Sequence, residues 1–198
     1  MPKKHEIMRH KTTLTFWILI TIFCFSCNHK FQNNSTNESS DNFIKFLNHY
    51  QKDSLQDILA KNFQLTRTYT NYKNDLNSFL GEYLEYSKAF NGKYRILETI
   101  SFTEPKIYLV EDESAYLEYL RVALPKWKIT IKRNVQNKVE QVIIDTTSSF
   151  ERYKTEILSK EEYFKNWLKI NHPTENLEEL QKNKGLLFER LKLYYNQN

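Results

Sequence analysis

The sequence is poor in glycine: Gly81, Gly92 and Gly185 are the three, far apart along 198 residues. Loops that cradle phosphate need clustered glycines to bring backbone N–H groups against the anion, so Walker and dinucleotide-binding turns are excluded. Cysteine is scarcer still. Cys24 and Cys27 both precede residue 28, which leaves the rest of the chain without a thiol for a disulfide, a nucleophile or a zinc site. Of five histidines, only His49 and His172 lie beyond residue 42, so no metal cluster and no cofactor is implied. No long apolar run occurs either. The longest, residues 14–25 (LTFWILITIFCF), falls well short of the roughly 20 residues that span a bilayer. Charge is not scarce: at 27% it is near the globular norm of about 25%, and the length suits one domain with a sizeable core.

What is present begins with an address. Lys3, Lys4, Arg9 and Lys11 precede the apolar run, and the polar stretch Asn28 to Asn42 (NHKFQNNSTNESSDN) follows it. Basic, then apolar, then polar is the order of an export signal. The run closes on Phe25-Ser26-Cys27, which resembles a bacterial lipoprotein cleavage site; the same residues also fit an ordinary cleaved leader or a short uncleaved anchor. The resemblance implies that residues 1–26 are removed and that Cys27 receives the lipid, with 27–42 as a flexible tether. It also implies a membrane partner reached through that lipid, at the outer membrane facing the periplasm, because Asn28-His29-Lys30 lacks the aspartate associated with inner-membrane retention. Residues 1–26 hold four basic residues against one acidic, so the remainder carries 25 against 23, a balance of only +2. The basicity belongs largely to the leader, and nucleic acid is not an expected partner.

Residues 43–198 read as one α+β domain. Phe43, Phe46, Leu47 and Tyr50 recur at helical spacing, and Leu55, Ile58 and Leu59 form a second short face beyond Asp53-Ser54. Phe63, Leu65, Arg67 and Tyr69 alternate as in a strand. A third helical pattern runs from Leu76 to Phe90 and stops at Asn91-Gly92. From Lys93 the period is two: strands are expected over 93–102, 107–110, 115–122, 126–132 and 139–146, with a turn at Asp112-Glu113-Ser114. Short turns between them predict an antiparallel meander. The helical period returns at Phe150, with an S-x-x-E capping box at Ser159–Glu162, predicting an appended helical pair from about residue 150.

The order helix, short helix, strand, helix, then successive strands resembles the nuclear transport factor 2-like (SnoaL-like) cone. The likeness lies in 43–63 (FIKFLNHYQKDSLQDILAKNF) and 74–96 (NDLNSFLGEYLEYSKAFNGKYRI) and covers roughly 43–148. It implies a curved antiparallel sheet packed against N-terminal helices, with a pocket on its concave face. Enzymes of that superfamily place a carboxylate, histidine or tyrosine in the pocket as general acid or base.

Measured against that requirement, Glu98 shares a predicted face with Tyr94, Ile96 and Ile100, and Glu118 shares one with Tyr116 and Leu120. A carboxylate on an apolar face either lines a pocket or pairs with a cation such as Arg95 or Arg121. Both remain candidate bases, and Tyr94 and Tyr116 are candidate ligand contacts beside them. His49 falls away from the apolar stripe of its helix, which suits solvent better than catalysis; it is carried as a third candidate. With no acid–base pair evident, the expected function is a non-catalytic envelope lipoprotein that holds a small apolar ligand or docks a partner protein. The alternative is a SnoaL-like isomerase or dehydratase with a pocket carboxylate as base.

Overall fold

A computed structural model describes residues 38–197; the leader, Cys27 and all but the end of the expected tether lie outside the described residues. Helix α1 (Glu38–Asn48) begins ahead of the expected Phe43. Ser40 is fully buried and Asp41 binds Lys106 on the sheet, so these residues belong to the fold rather than to a tether. Phe43, Ile44 and Leu47 make the buried face of α1. Tyr50, with φ 55°, ends it, and α2 (Lys52–Ile58) leads directly into β1 (Leu59–Arg67).

Strand β2 (Lys73–Asp75) folds back on β1, and Asp75 caps the next helix by accepting from the Ser78 amide at 2.8 Å. That helix, α3, is made of Leu76–Ser78, a π-helical turn Phe79–Tyr83, and Leu84–Ala89. In the π turn the Leu84 amide reaches the Phe79 carbonyl, so one extra residue is fitted into the turn and the side chains after it are re-aimed. The remaining strands are β3 (Lys93–Ser101), β4 (Lys106–Glu113), β5 (Lys126–Arg133) and β6 (Val139–Thr146).

The six strands lie in the order β2-β1-β6-β5-β4-β3. β3 to β6 form the expected antiparallel meander, but β1 joins β6 in parallel, so the sheet is mixed rather than purely antiparallel. The whole meander separates β1 from β6, and no tight turn forces them to run oppositely. Phe63, Leu65, Tyr108, Val110, Ile129, Ile131, Val142 and Ile144 alternate onto the inner face and pack against Phe43 and Phe79. The Phe79 ring lies 5.8 Å from that of Phe43 and 5.0 Å from that of Phe63.

One expected strand is a helix. Residues 115–122 carry a period-two reading (Tyr116, Glu118, Leu120, Val122) and a helical one (Tyr116, Leu117, Leu120), and the helical one forms α4 (Ala115–Leu120). Ser114 decides the matter: it is the N-cap of a helix, its side chain accepting from the Leu117 amide at 3.3 Å, not part of a turn. Tyr116, Leu117 and Leu120 are then buried and Glu118 is exposed. Arg121, with φ 55°, closes α4.

The C-terminal part holds three helices rather than a pair: α5 (Phe150–Asn171), α6 (Leu177–Lys182) and α7 (Lys184–Gln197). α5 runs straight through Ser159, so the expected capping box there is helix interior. These helices bury Phe164, Leu168, Leu180, Leu187 and Leu191 against α4 and Phe90, forming a second core beside the open end of the cone.

Candidate functional site

Between the inner face of the sheet, α3, α4 and α5 lies a cavity of about 970 Å³, a size that suits a small organic molecule. Strand alternation supplies its two charged anchors. On β1, Phe63 and Leu65 point into the core and Arg67 follows them on the same face. On β4, Tyr108 and Val110 point inward and Asp112 follows, where the cavity opens. The core-facing rows of two strands thus end in a guanidinium and a carboxyl group.

Asp112 Oδ2 accepts from Trp127 Nε1 at 3.1 Å. Burial lifts its pKa to about 6; the Trp127 hydrogen bond and the Arg67 charge pull the other way. The carboxyl group therefore changes protonation within a unit or so of neutrality, where a general acid or base is useful. Tyrosines surround it. Tyr69 stacks on Trp127 at 4.9 Å and 12° between planes. The hydroxyls of Tyr83 and Tyr94 lie 3.0 Å apart, and Tyr116 donates to Glu161 Oε1 at 2.6 Å. Burial pushes the hydroxyls of Tyr69 and Tyr86 up to about 12 and raises those of Tyr83, Tyr94, Tyr116 and Tyr153 as well. All remain protonated near neutral pH and serve as donors, acceptors and apolar rings rather than as bases. The π-helical turn matters here: Phe79 and Tyr83 stack at 5.3 Å, which sends the Tyr83 hydroxyl into the cavity.

The structure places the residues singled out from sequence unevenly. Tyr94 and Tyr116 line the cavity. Glu98 does not. A bulge between Ile96 and Glu98 shifts the register of β3, so Glu98 opposes Leu109 and is exposed, away from the Tyr108 and Val110 face. Glu118 is on the solvent side of α4, so neither glutamate is placed to act as a base in the cavity. Arg95 pairs with Glu111 and Glu113 rather than with Glu98. His49 is exposed in the turn after α1, its Nδ1 lying 2.7 Å from the Lys45 carbonyl oxygen, outside the cavity wall.

Asp112 and Arg67 were the residues to find. The signal for Arg67 is its place in the Phe63, Leu65, Arg67, Tyr69 alternation. For Asp112 it is the unbroken series Tyr108, Val110, Asp112, which the acidic cluster 111–113 disguises as a turn. Among the described residues, no group of side chains is arranged to hold a metal ion and no helix is long and apolar enough to cross a membrane.

No protein-family model and no curated protein sequence matches the chain. Solved structures do. A protein described as a SnoaL-like polyketide cyclase from Shewanella denitrificans aligns with a TM-score of 0.50 at 9% identity, covering 64% of this chain and 99% of that one. An NTF2-like protein of unknown function from Cytophaga hutchinsonii aligns with a TM-score of 0.42 at 10% identity, covering 55% and 87%. A de novo designed protein with a curved β-sheet aligns with a TM-score of 0.45 at 9% identity, covering 65% and 98%. At such identities the likeness concerns the fold: a nuclear transport factor 2-like (SnoaL-like) α+β cone, here with additional C-terminal helices.

Proposed function

We propose that this chain is a lipid-anchored protein of the bacterial cell envelope whose cone holds a small, flat, largely apolar molecule. One observation carries the ligand-binding part: a cavity of about 970 Å³ walled by tyrosine rings, with the Asp112 carboxyl in its lining. Aromatic walls favour a flat molecule, and the Asp112 carboxyl orients it through one hydrogen bond. The anchor rests on the basic–apolar–polar order of the first 42 residues and on Ser26-Cys27. Acyl chains, at about 0.8 kcal/mol per buried CH₂, would hold the mature protein on the membrane, with the periplasmic face of the outer membrane as its place. Cells fed radiolabelled palmitate are expected to label the wild-type chain and not Cys27→Ala. An unlabelled wild-type chain would remove the anchor from the reading. Titration of the full-length chain with 2-naphthylmethanol is expected to show saturable binding in the cavity.

The position of Asp112 favours a second reading. A carboxyl group with its pKa lifted to about 6 can accept a proton from a bound substrate and return it, as an isomerase or dehydratase requires. The polyketide-cyclase description of the Shewanella structure is compatible with that chemistry. Asp112→Asn separates the two: an enzyme loses turnover and keeps its ligand, whereas a carrier has no turnover to lose.

A further inference from the structure

Arg67 is left unexplained by an apolar ligand. Its guanidinium offers five N–H donors, and its contacts are with neutral groups: the Tyr83 ring, whose centroid lies 5.0 Å from Cζ, Asn74 Oδ1, which accepts from Nη1 at 3.5 Å, and the Tyr69 hydroxyl, with which it hydrogen-bonds. Among the described residues no carboxylate stands within ion-pair distance of it, although Arg95, Arg133 and Arg190 each hold a glutamate at 2.7–2.9 Å. Those three meet their glutamates at the surface or between elements, whereas Arg67 ends a core-facing row and looks into the cavity. Burial costs the Arg67 guanidinium hydration; the surrounding tyrosines and the Asp112 carboxylate stabilise its charge without forming an ion pair with it, and an incoming carboxylate would supply that pair.

We propose that the cavity selects planar molecules bearing one carboxylate, gripped by Arg67 while the ring system lies among the tyrosines. This rests on the ligand-binding reading above and specifies its chemistry. The lining carries Arg67, Lys93, Lys182 and Lys184 against Glu82, Asp112 and Glu161, and Lys182 is itself paired with Glu179 at 2.8 Å, so the preference for an anion comes from Arg67 rather than from the overall charge of the wall. Two of the acids are engaged: Glu161 accepts the Tyr116 hydroxyl at 2.6 Å and Glu82 the Tyr72 hydroxyl at 3.1 Å. The third, Asp112, is held by Trp127 rather than by Arg67. One cation without an ion-pair partner matches a monoanion, whereas a phosphate dianion would bring a second negative charge into the cavity that Asp112 shares. The Tyr83 ring packs against the guanidinium while Asn74 takes a hydrogen bond from Nη1, and the remaining N–H groups are the donors a carboxylate would meet.

The test compares 2-naphthoate with 2-naphthylmethanol, which carries a hydroxymethyl group in place of the carboxylate. Both are titrated calorimetrically at pH 7 into the full-length chain in lipid nanodiscs, with empty nanodiscs as the blank. The wild-type chain is expected to bind the carboxylate at least about tenfold more tightly, equivalent to about 1.4 kcal/mol, and Arg67→Gln to bring the two within about twofold. Equal binding of the two compounds by the wild-type chain, or a preference that survives in Arg67→Gln, overturns the carboxylate assignment and leaves the ligand-binding reading in place. Binding of neither compound overturns both.

Discussion

The inner face of β4 carries a charge at each end, Lys106 and Asp112, with Tyr108 and Val110 between them. At the closed end of the cone Lys106 is 4% exposed and meets Asp41 at 2.7 Å, and the Tyr108 hydroxyl donates to the same carboxylate. That cluster ties α1 to the sheet and balances its own charge. At the open end Asp112 has the indole N–H of Trp127, and Arg67 has a ring and a side-chain amide. The two open-end charges share one cavity without pairing. Folding stability alone would favour joining them or replacing them with apolar residues. Their separation is the arrangement expected of a site that waits for a ligand.

The contrast predicts opposite responses to losing a carboxylate. Asp41→Ala removes the carboxylate that meets the buried Lys106 ammonium; because Asp41 itself is half exposed, the expected cost in urea unfolding is about 2 kcal/mol, below that of a fully buried pair. Asp112→Asn should go the other way. Its folded pKa of about 6 lies above the ordinary value of 3.8, so the folded state binds a proton more readily than the unfolded chain. Below about pH 4 the carboxyl is neutral in both states and no cost arises; as pH rises through 6 the fold must hold an ionised group, and stability falls. Asparagine still accepts from Trp127 and carries no charge. The shift corresponds to at most about 3 kcal/mol, which water in the cavity reduces, so the variant is expected to gain about 1–2 kcal/mol at pH 7.5, with the gain fading as pH is lowered towards 4. A gain independent of pH would mean that the ionised carboxylate is well solvated, and the two ends would not differ in the way described.

The closed end was the more legible in the sequence. Phe43, Leu47, Phe63, Leu65 and the 126–132 alternation each repeat one period without interruption, and the structure uses each as read. The cavity was harder to read, because the elements that shape it depart from strict period. The bulge after Ile96 turns Glu98 outward, the π turn at 79–83 re-aims Tyr83, and the α4 segment satisfies two periods at once. The bulge and the π turn depend on where neighbouring elements pack, information that no local window of sequence holds, whereas α4 is decided locally by the Ser114 cap, which the turn reading of 112–114 concealed. Tyr94 and Tyr116 were candidate ligand contacts because they share predicted faces with Glu98 and Glu118, and both line the cavity although those glutamates do not. Asp112 was hidden by its acidic neighbours, although it extends the Tyr108 and Val110 row by one step.

The smallest expected effect comes from making the same chemical change at both ends. Tyr108→Phe removes the hydroxyl that donates to Asp41, and Tyr108 is 1% exposed, so water cannot take its place on the ring side. About 1 kcal/mol should be lost, as for a hydrogen bond to a charged acceptor that is partly hydrated. Tyr83→Phe removes a hydroxyl 3.0 Å from that of Tyr94, but it faces the cavity, where water can replace it. The ring that covers Arg67 is retained, so at most about 0.5 kcal/mol should be lost. Equal losses at the two positions would mean that the cavity end is as dry as the core. Arg67 and Asp112 would then be held apart with no solvent to offset either charge, and the stability gained by Asp112→Asn at pH 7.5 should exceed about 2 kcal/mol.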